Sequence, residues 1–191
     1  MLQDRMRCIV HGACVFLGLT AASVAAAAVA APQPVHSVPS LDLSRYAGKW
    51  FEIARYPNRF QKQCVGDVTA EYVSLADGRI RVINACRRSG GSTARAEGVA
   101  RLASSGGPTS RLKVRFAPAF LSFISGVWGD YWVIGLGPDY TYAVVGAPSR
   151  DYLWILSRTP TLDTEVYQKA VDMAVSNGFD PSRLVRTKQS P

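Results

Sequence analysis

Histidine is almost missing from this 191-residue chain, which has two, and only His36 lies outside the apolar N-terminal run. Histidine is the usual general base and metal ligand near neutral pH, so a histidine-based triad or a histidine-rich metal site is excluded as the working chemistry. No G-x-S-x-G occurs, no glycine-rich phosphate loop precedes a helix, and no C-x-x-C is present, which removes three further enzyme classes. No metal or cofactor site is expected. Charge blocks, internal repeats and low-complexity tracts are absent beyond the N-terminus. With 48% apolar and 19% charged residues, the chain suits one core of ordinary size and a single domain.

The N-terminus reads as a secretory signal over residues 1–30. Arg5 and Arg7 give a basic start, Cys8 to Ala30 is apolar and small, and Ala25-Ala26-Ala27 and Ala28-Val29-Ala30 both suit cleavage. An uncleaved membrane anchor is the competing reading, because the run approaches the roughly 20 residues that span a bilayer. Residues 31–40, with Pro32, Pro34 and Pro39, are expected to form a flexible lead-in, since proline cannot join a sheet ladder. The folded domain is expected over 41–191.

From there, short apolar-alternating segments separated by turn residues predict strands over 50–56, 66–75, 79–88, 93–103, 111–116, 131–136, 142–146 and 152–157. Gly78 suits the left-handed position of a hairpin turn. Period-two alternation puts Val68, Ala70 and Tyr72 on one face, opposite Val82 and Asn84. It likewise turns Ala96, Gly98, Ala100 and Leu102 inward, then Leu112, Val114 and Phe116, with Arg95, Glu97, Arg101, Arg111, Lys113 and Arg115 outside. These inward residues are small or medium-sized, and a barrel so lined leaves room for one small ligand. After Pro160, Asp163 can cap a helix whose apolar positions Val166, Ala170, Met173 and Ala174 recur until Asn177-Gly178 stops it. That helix is expected on the outer wall, over Phe51 and Ile53, with a last short strand over 184–188.

Two of the four cysteines lie in the signal. Cys64 and Cys86 remain as a pair at one end of the predicted hairpin, and in an oxidising compartment they should form a disulfide. Losing Arg5, Arg7 and Asp4 with the signal takes 22 basic and 14 acidic residues to 20 and 13, a net charge of +7. The basic residues are spread over outward strand positions with no aromatic groove between them, which excludes nucleic acid as a partner. A stripe of Arg81, Arg95, Arg101, Lys113 and Arg115 reads either as a solvated face or as a contact for anionic lipid head groups. One connection is out of character. Residues 117–129 hold Phe120, Leu121, Phe123, Ile124, Val127 and Trp128, so this loop is either a lid on its own barrel or an apolar lip that touches a membrane or a partner.

Two stretches carry a resemblance. LDLSRYAGKWFEI, residues 41–53, holds G-x-W, and DYLWILSRTP, residues 151–160, ends a strand in Arg158. Together with VTAEY they resemble the lipocalins, and among these bacterial envelope lipocalins and apolipoprotein D, from about Leu41 to the C-terminus. The second lipocalin motif appears only as Pro138-Asp139-Tyr140-Thr141-Tyr142, one residue short.

The resemblance implies an eight-stranded antiparallel up-and-down barrel with one C-terminal helix packed outside, closed by Gly48, Trp50 and Arg158. It implies binding and carriage or storage of a fatty acid, lysophospholipid or similar lipid, exported to the periplasm and associated with the outer membrane. Bacterial relatives are lipidated at a cysteine after a leucine-led box, a pattern that Cys8 and Cys14 do not fit. The expected ligand-binding set is Ala54, Ala70, Val82, Gly98, Ala100, Val114, Phe116, Val133 and Trp154, with Tyr72, Asn84 and Tyr131 orienting the head group. No catalytic residue is expected. Two rival readings are a lipocalin-fold enzyme acting on a lipid or pigment, with Glu52 as its one candidate acid or base, and an interaction protein of the envelope using the 117–129 loop.

Overall fold

The computed structural model describes residues 33–190; the signal read over 1–30 lies outside them. A helical turn, α1 (Leu43–Tyr46), leads into β1 (Gly48–Arg55). There follow β2 (Cys64–Ser74), β3 (Ile80–Arg88), β4 (Thr93–Leu102), β5 (Arg111–Arg115), β6 (Gly129–Leu136), β7 (Tyr142–Gly146) and β8 (Leu153–Ser157), then helix α2 (Thr164–Ser176) and β9 (Val185–Arg186). Each strand from β2 to β8 pairs antiparallel with the next, β8 pairs with β1, and β1 pairs back with β2, so the sheet closes into an eight-stranded barrel; β9 is an extra strand beside β1.

The register follows from the inward sets, because each must meet its neighbour on one face. Ala70 lies opposite Asn84 and Tyr72 opposite Val82; Val82 meets Gly98, Ala100 meets Val114, and Leu112 meets Tyr131. Gly78 takes φ +79° in the turn between β2 and β3, where Asp77 accepts from the Arg79 backbone N–H at 3.0 Å.

Strand β1 breaks the alternation. A bulge between Glu52 and Ala54 shifts its pairing with β8, so Glu52 stands opposite Leu156 whereas Ala54 stands opposite Ile155 and Arg55 opposite Trp154. Ala54 therefore faces the outer wall, buried with Ile134, Val144, Ile155 and Ala170. The expectation that it lines the interior is corrected: the extra residue hands the inward position to Arg55.

Helix α2 buries Ala170, Val171 and Ala174, and it seats on β6 and β7 where Gly135 has no side chain. A Cβ there would come within 2.7 Å of Met173 Sδ. Ile53 joins this cluster and Phe51 does not, its ring being covered by the Lys49 ammonium at 4.6 Å. The expected cover over both is thus half right. Asp163 occupies the N-cap position without a side-chain hydrogen bond, and Gly178, φ +77°, ends the helix with its N–H on Val175 O.

Both ends of the described chain are stitched to the barrel. In the segment read as a flexible lead-in, Val35 is buried under α2, Val38 N–H donates to Val133 O, and Ser110 donates to Val38 O. At the other end, Thr187 N–H donates to Ile53 O and Asp67 N–H to Lys188 O, while the Gln189 amide donates to Glu52 O and Val68 O. The C-terminal segment thus fills the gap between β1 and β2 where those strands part.

Candidate functional site

The two ends of the barrel are built differently. The β2–β3, β4–β5 and β6–β7 loops lie at one end with α1; the β1–β2, β3–β4, β5–β6 and β7–β8 loops lie at the other. At the first end Trp50 is 0% exposed, and its indole Nε1 donates to Tyr46 O at 2.8 Å. The Arg158 guanidinium carbon sits 3.8 Å from the Trp50 ring centroid, and its two terminal nitrogens donate to Lys49 O and Arg45 O at 2.9 and 2.6 Å. Gly48, φ +91°, brings the backbone in under that guanidinium. A cation over an indole contributes about 0.5–2 kcal/mol. The plug is completed by α1, whose first turn is capped by Asp42 accepting from Ser44 and Arg45 N–H. The one-residue-short motif turns tightly against it: Arg45 pairs with Asp139 at 3.2 Å and lies over the Tyr140 ring, whose hydroxyl accepts from Asp42 N–H.

Above this plug, three phenols form a chain. The Tyr131 hydroxyl is 2.7 Å from the hydroxyls of both Tyr46 and Tyr72. Burial pushes Tyr72 up to about 12 and holds Tyr46 and Tyr131 well above the ordinary tyrosine range. Tyr72 and Tyr131 satisfy one another at depth, so they do not stand at the mouth where a head group would meet them. Val82, Ala100, Leu112, Val133, Val145 and Leu156 are buried around them in one packed layer.

The far half is not closed by such a layer, and we call its interior the hollow. Ala70, Asn84, Gly98, Val114 and Trp154 all face inward yet are only half-buried, and Ala96 and Phe116 are exposed. Solvent therefore reaches the inner wall. Of the small residues expected to leave space, Ala70 is half-buried and Ala96 exposed. Ala100 is sealed beneath, and the place a Gly98 Cβ would take is filled by the Phe116 ring, 2.7 Å from it.

The lipocalin-like domain family matches residues 41–189. The chain belongs to that family. It is 45% identical to temperature-induced lipocalin-1 of Arabidopsis thaliana over 154 residues, covering 80% of this chain and 82% of that one. It is 40% identical to the outer membrane lipoprotein Blc of Escherichia coli over 181 residues, covering 91% and 97%. Mouse apolipoprotein D is 29% identical over 79% of this chain and 78% of its own. Among solved structures, insecticyanin of the tobacco hornworm superposes with a TM-score of 0.64 at 25% identity, over 83% of this chain and 86% of its own. The lipocalin family is one of small-molecule binding proteins, consistent with a hydrophobic ligand here.

In this lipocalin the rim of the hollow carries a polar network that residue order alone did not reveal. The Glu52 carboxylate accepts from Arg55 at 3.2 Å, from Thr187, and from the Gln61 amide at 2.6 Å; Gln61 in turn accepts from Trp154 Nε1 at 3.1 Å. Burial raises the Glu52 pKa above the usual carboxyl value, while the Thr187 and Gln61 hydrogen bonds and the Arg55 charge pull it back. Arg55 and Thr187 were not legible beforehand because the bulge and the C-terminal stitch bring them in. Cys64 and Cys86 are bonded, with Cα atoms 5.5 Å apart, and pack with Val68 and Ala94 at the same end.

The 117–129 loop is packed at its root and exposed at its tip. Arg115, expected outside in solvent, is buried: it donates to Ala117 O and Pro118 O and lies 5.2 Å from the Trp128 ring, over which Arg101 also stacks at 4.4 Å. The loop root is thereby pinned to the outer wall, which leaves Phe120 and Phe123 73% and 83% exposed. Among the described residues, no three His, Cys, Asp or Glu side chains are placed to hold a metal, and no helix is long and apolar enough to cross a membrane.

Proposed function

We propose that this lipocalin binds a small hydrophobic ligand, a fatty acid, lysophospholipid or similar lipid, in the open half of its barrel and carries or stores it in the bacterial envelope. The observation behind this reading is that Ala70, Asn84, Gly98, Val114 and Trp154 face inward and are nevertheless reached by solvent. An acyl chain laid against them gains about 0.8 kcal/mol per methylene removed from water. The polar end of an amphiphile would meet Asn84 on the wall and the Gln61–Trp154 pair at the rim. The periplasmic setting draws on the signal-like N-terminus and on the likeness to Blc, whose name places that protein at the outer membrane. Glu52, the carboxyl a lumenal reaction would recruit, is held by three partners in the rim network, which favours carriage over catalysis.

A fluorescent fatty-acid probe tests the reading. Ala70→Phe fills the hollow and should weaken probe affinity at least tenfold, while Glu71→Ala, one residue along and outward, should leave it unchanged. Wild-type affinity in Ala70→Phe would place the ligand elsewhere. Extraction and mass spectrometry of the protein from its own envelope would identify what it carries.

A further inference from the structure

Among the described residues, nine large apolar side chains are exposed, and three of them are dispersed: Leu102 at the closed end of β4, Val175 on α2 and Val185 on β9. The other six, Phe60, Val65, Phe116, Phe120, Phe123 and Ile124, stand at the open end, Phe60 being 57% exposed against 36% for Leu102 at the closed end. Single exposed apolar residues need no explanation, but several gathered on loops at one end and accompanied by charged residues mark a contact surface. The rim here is cationic. Arg59 and Lys62 flank Phe60, and Arg88 stands exposed in the next loop. The neighbouring carboxylates Asp67, Asp130 and Glu52 are held by Arg87, Lys113 and Arg55 at 2.6, 2.8 and 3.2 Å, and Asp151 is exposed in the loop between β7 and β8.

We infer that the open end docks on an anionic lipid bilayer, with Phe60, Phe120, Phe123 and Ile124 entering the interface and Arg59, Lys62 and Arg88 meeting phosphate head groups. Aromatic side chains backed by basic ones are the combination that lies in a membrane interface, apolar burial giving depth and charge giving attraction to anionic lipid. The orientation suits the barrel. Phe60 lies against Tyr152 with centroids 5.8 Å apart, and Tyr152 stacks on Trp154, again at 5.8 Å, so an aromatic row runs from the proposed footprint into the hollow. The three-residue turn Arg59–Gln61 presents Arg59 and Phe60 outward and Gln61 inward on Glu52 and Trp154. A lipid leaving the bilayer under this turn meets the Phe60, Tyr152 and Trp154 rings on its way in, with Gln61 beside them for its polar end.

The test uses the chain as isolated from the cell envelope, floated with vesicles of phosphatidylcholine alone or mixed with phosphatidylglycerol. Anionic vesicles should bind wild type, with hydrogen exchange slowed in residues 57–62 and 117–124. Phe120→Ser with Phe123→Ser should abolish that protection, and Arg59→Glu with Lys62→Glu should weaken binding at least about tenfold, as expected for charges near an anionic surface. Lys49→Glu with Lys169→Glu carries the same change in net charge away from the mouth and should bind like wild type. Fatty-acid probe affinity should stay unchanged in all of these, which separates a failure of docking from a failure of the binding reading. The inference is overturned if neutral and anionic vesicles bind alike, if both charge-reversed pairs lose binding equally, or if the slowed exchange lies outside the two loops. It is equally overturned if the serine pair turns a dimer into a monomer without changing vesicle binding, since the face would then belong to a second copy of the chain.

Discussion

Aromatic residues crowd both ends of this barrel, and the two ends use them in opposite ways. At the closed end Tyr46, Trp50 and Tyr72 lie with ring centroids 4.9 and 5.3 Å apart. Every polar atom they bring is paired: the indole with a backbone carbonyl, the phenols with Tyr131, and the guanidinium over the indole with two more carbonyls. At the open end Phe60, Phe120 and Phe123 carry no polar atoms that need a partner, and they face solvent. Amphipathic aromatics can be buried because their polar handles are satisfied, whereas phenylalanine on a loop contributes to the fold only if something covers it. Stability should therefore reside at one end and interaction at the other, and substitutions of the same chemical kind should give opposite results there.

Trp50→Ala should have the largest effect. Removing a fully buried indole leaves a cavity under Arg158 and costs about 3–5 kcal/mol, read as a lowered midpoint in urea unfolding. Phe123→Ser in the same assay should stay within about 0.5 kcal/mol of wild type. Comparable losses from both would mean that the 117–129 loop supports the core and the comparison fails.

The second effect is on pH dependence. Tyr72 is neutral in the fold up to about 12, whereas an unfolded chain ionises tyrosine near 10. The native state thus holds its proton over a window in which the unfolded state gives it up, and stability from this group is complete below about pH 10 and lost as pH rises toward 12. Two units correspond to about 3 kcal/mol, with Tyr46 and Tyr131 shifted in the same direction. Unfolding measured from pH 9 to 12 should show that loss, and Tyr72→Phe should flatten the slope. Glu52 acts at the other extreme. Its raised pKa makes it bind a proton more tightly when folded, so this group alone makes the protein less stable as pH climbs through the window above 4.5.

Much of the fold was legible because alternation and turn residues are local signals. All eight strands appear within two residues of their expected bounds, Gly78 takes the left-handed conformation assigned to it, α2 stops at Asn177-Gly178, and the cysteine pair closes. The candidate site was legible where it continues an unbroken strand, as at Ala70, Asn84 and Val114, and lost where something non-local intervenes. One extra residue in β1 exchanges Ala54 for Arg55, and alternation cannot see a bulge. Whether the space beside Gly98 is empty depends on where Phe116 leans from the next strand. The role of Thr187 depends on a C-terminal segment returning to a strand 135 residues earlier. The missed turn α1 did leave a mark, Asp42 followed by Leu-Ser-Arg, which is an N-cap ahead of one helical turn.

The finest distinction between the two ends comes from one substitution made twice. Arg158 and Arg59 each place a guanidinium over an aromatic ring, at 3.8 Å from Trp50 and 5.0 Å from Phe60. Arg158 is part-buried and also donates to two carbonyls at the base of α1, so its loss exposes an indole face and frees the turn that holds the plug. Arg59 and Phe60 are both exposed, where water and salt replace most of what a cation gains over a ring. Arg158→Ala should then cost about 1–2 kcal/mol, a fall of roughly 2–8 °C in melting temperature for a domain of this size, with fatty-acid probe affinity intact because the hollow lies at the far end. Arg59→Ala should leave the melting temperature within a degree or two and change only the anionic-vesicle binding. A loss of probe affinity in Arg158→Ala without a lower melting temperature would mean that the ligand enters beside Trp50, and the assignment of closed and open ends would have to be reversed.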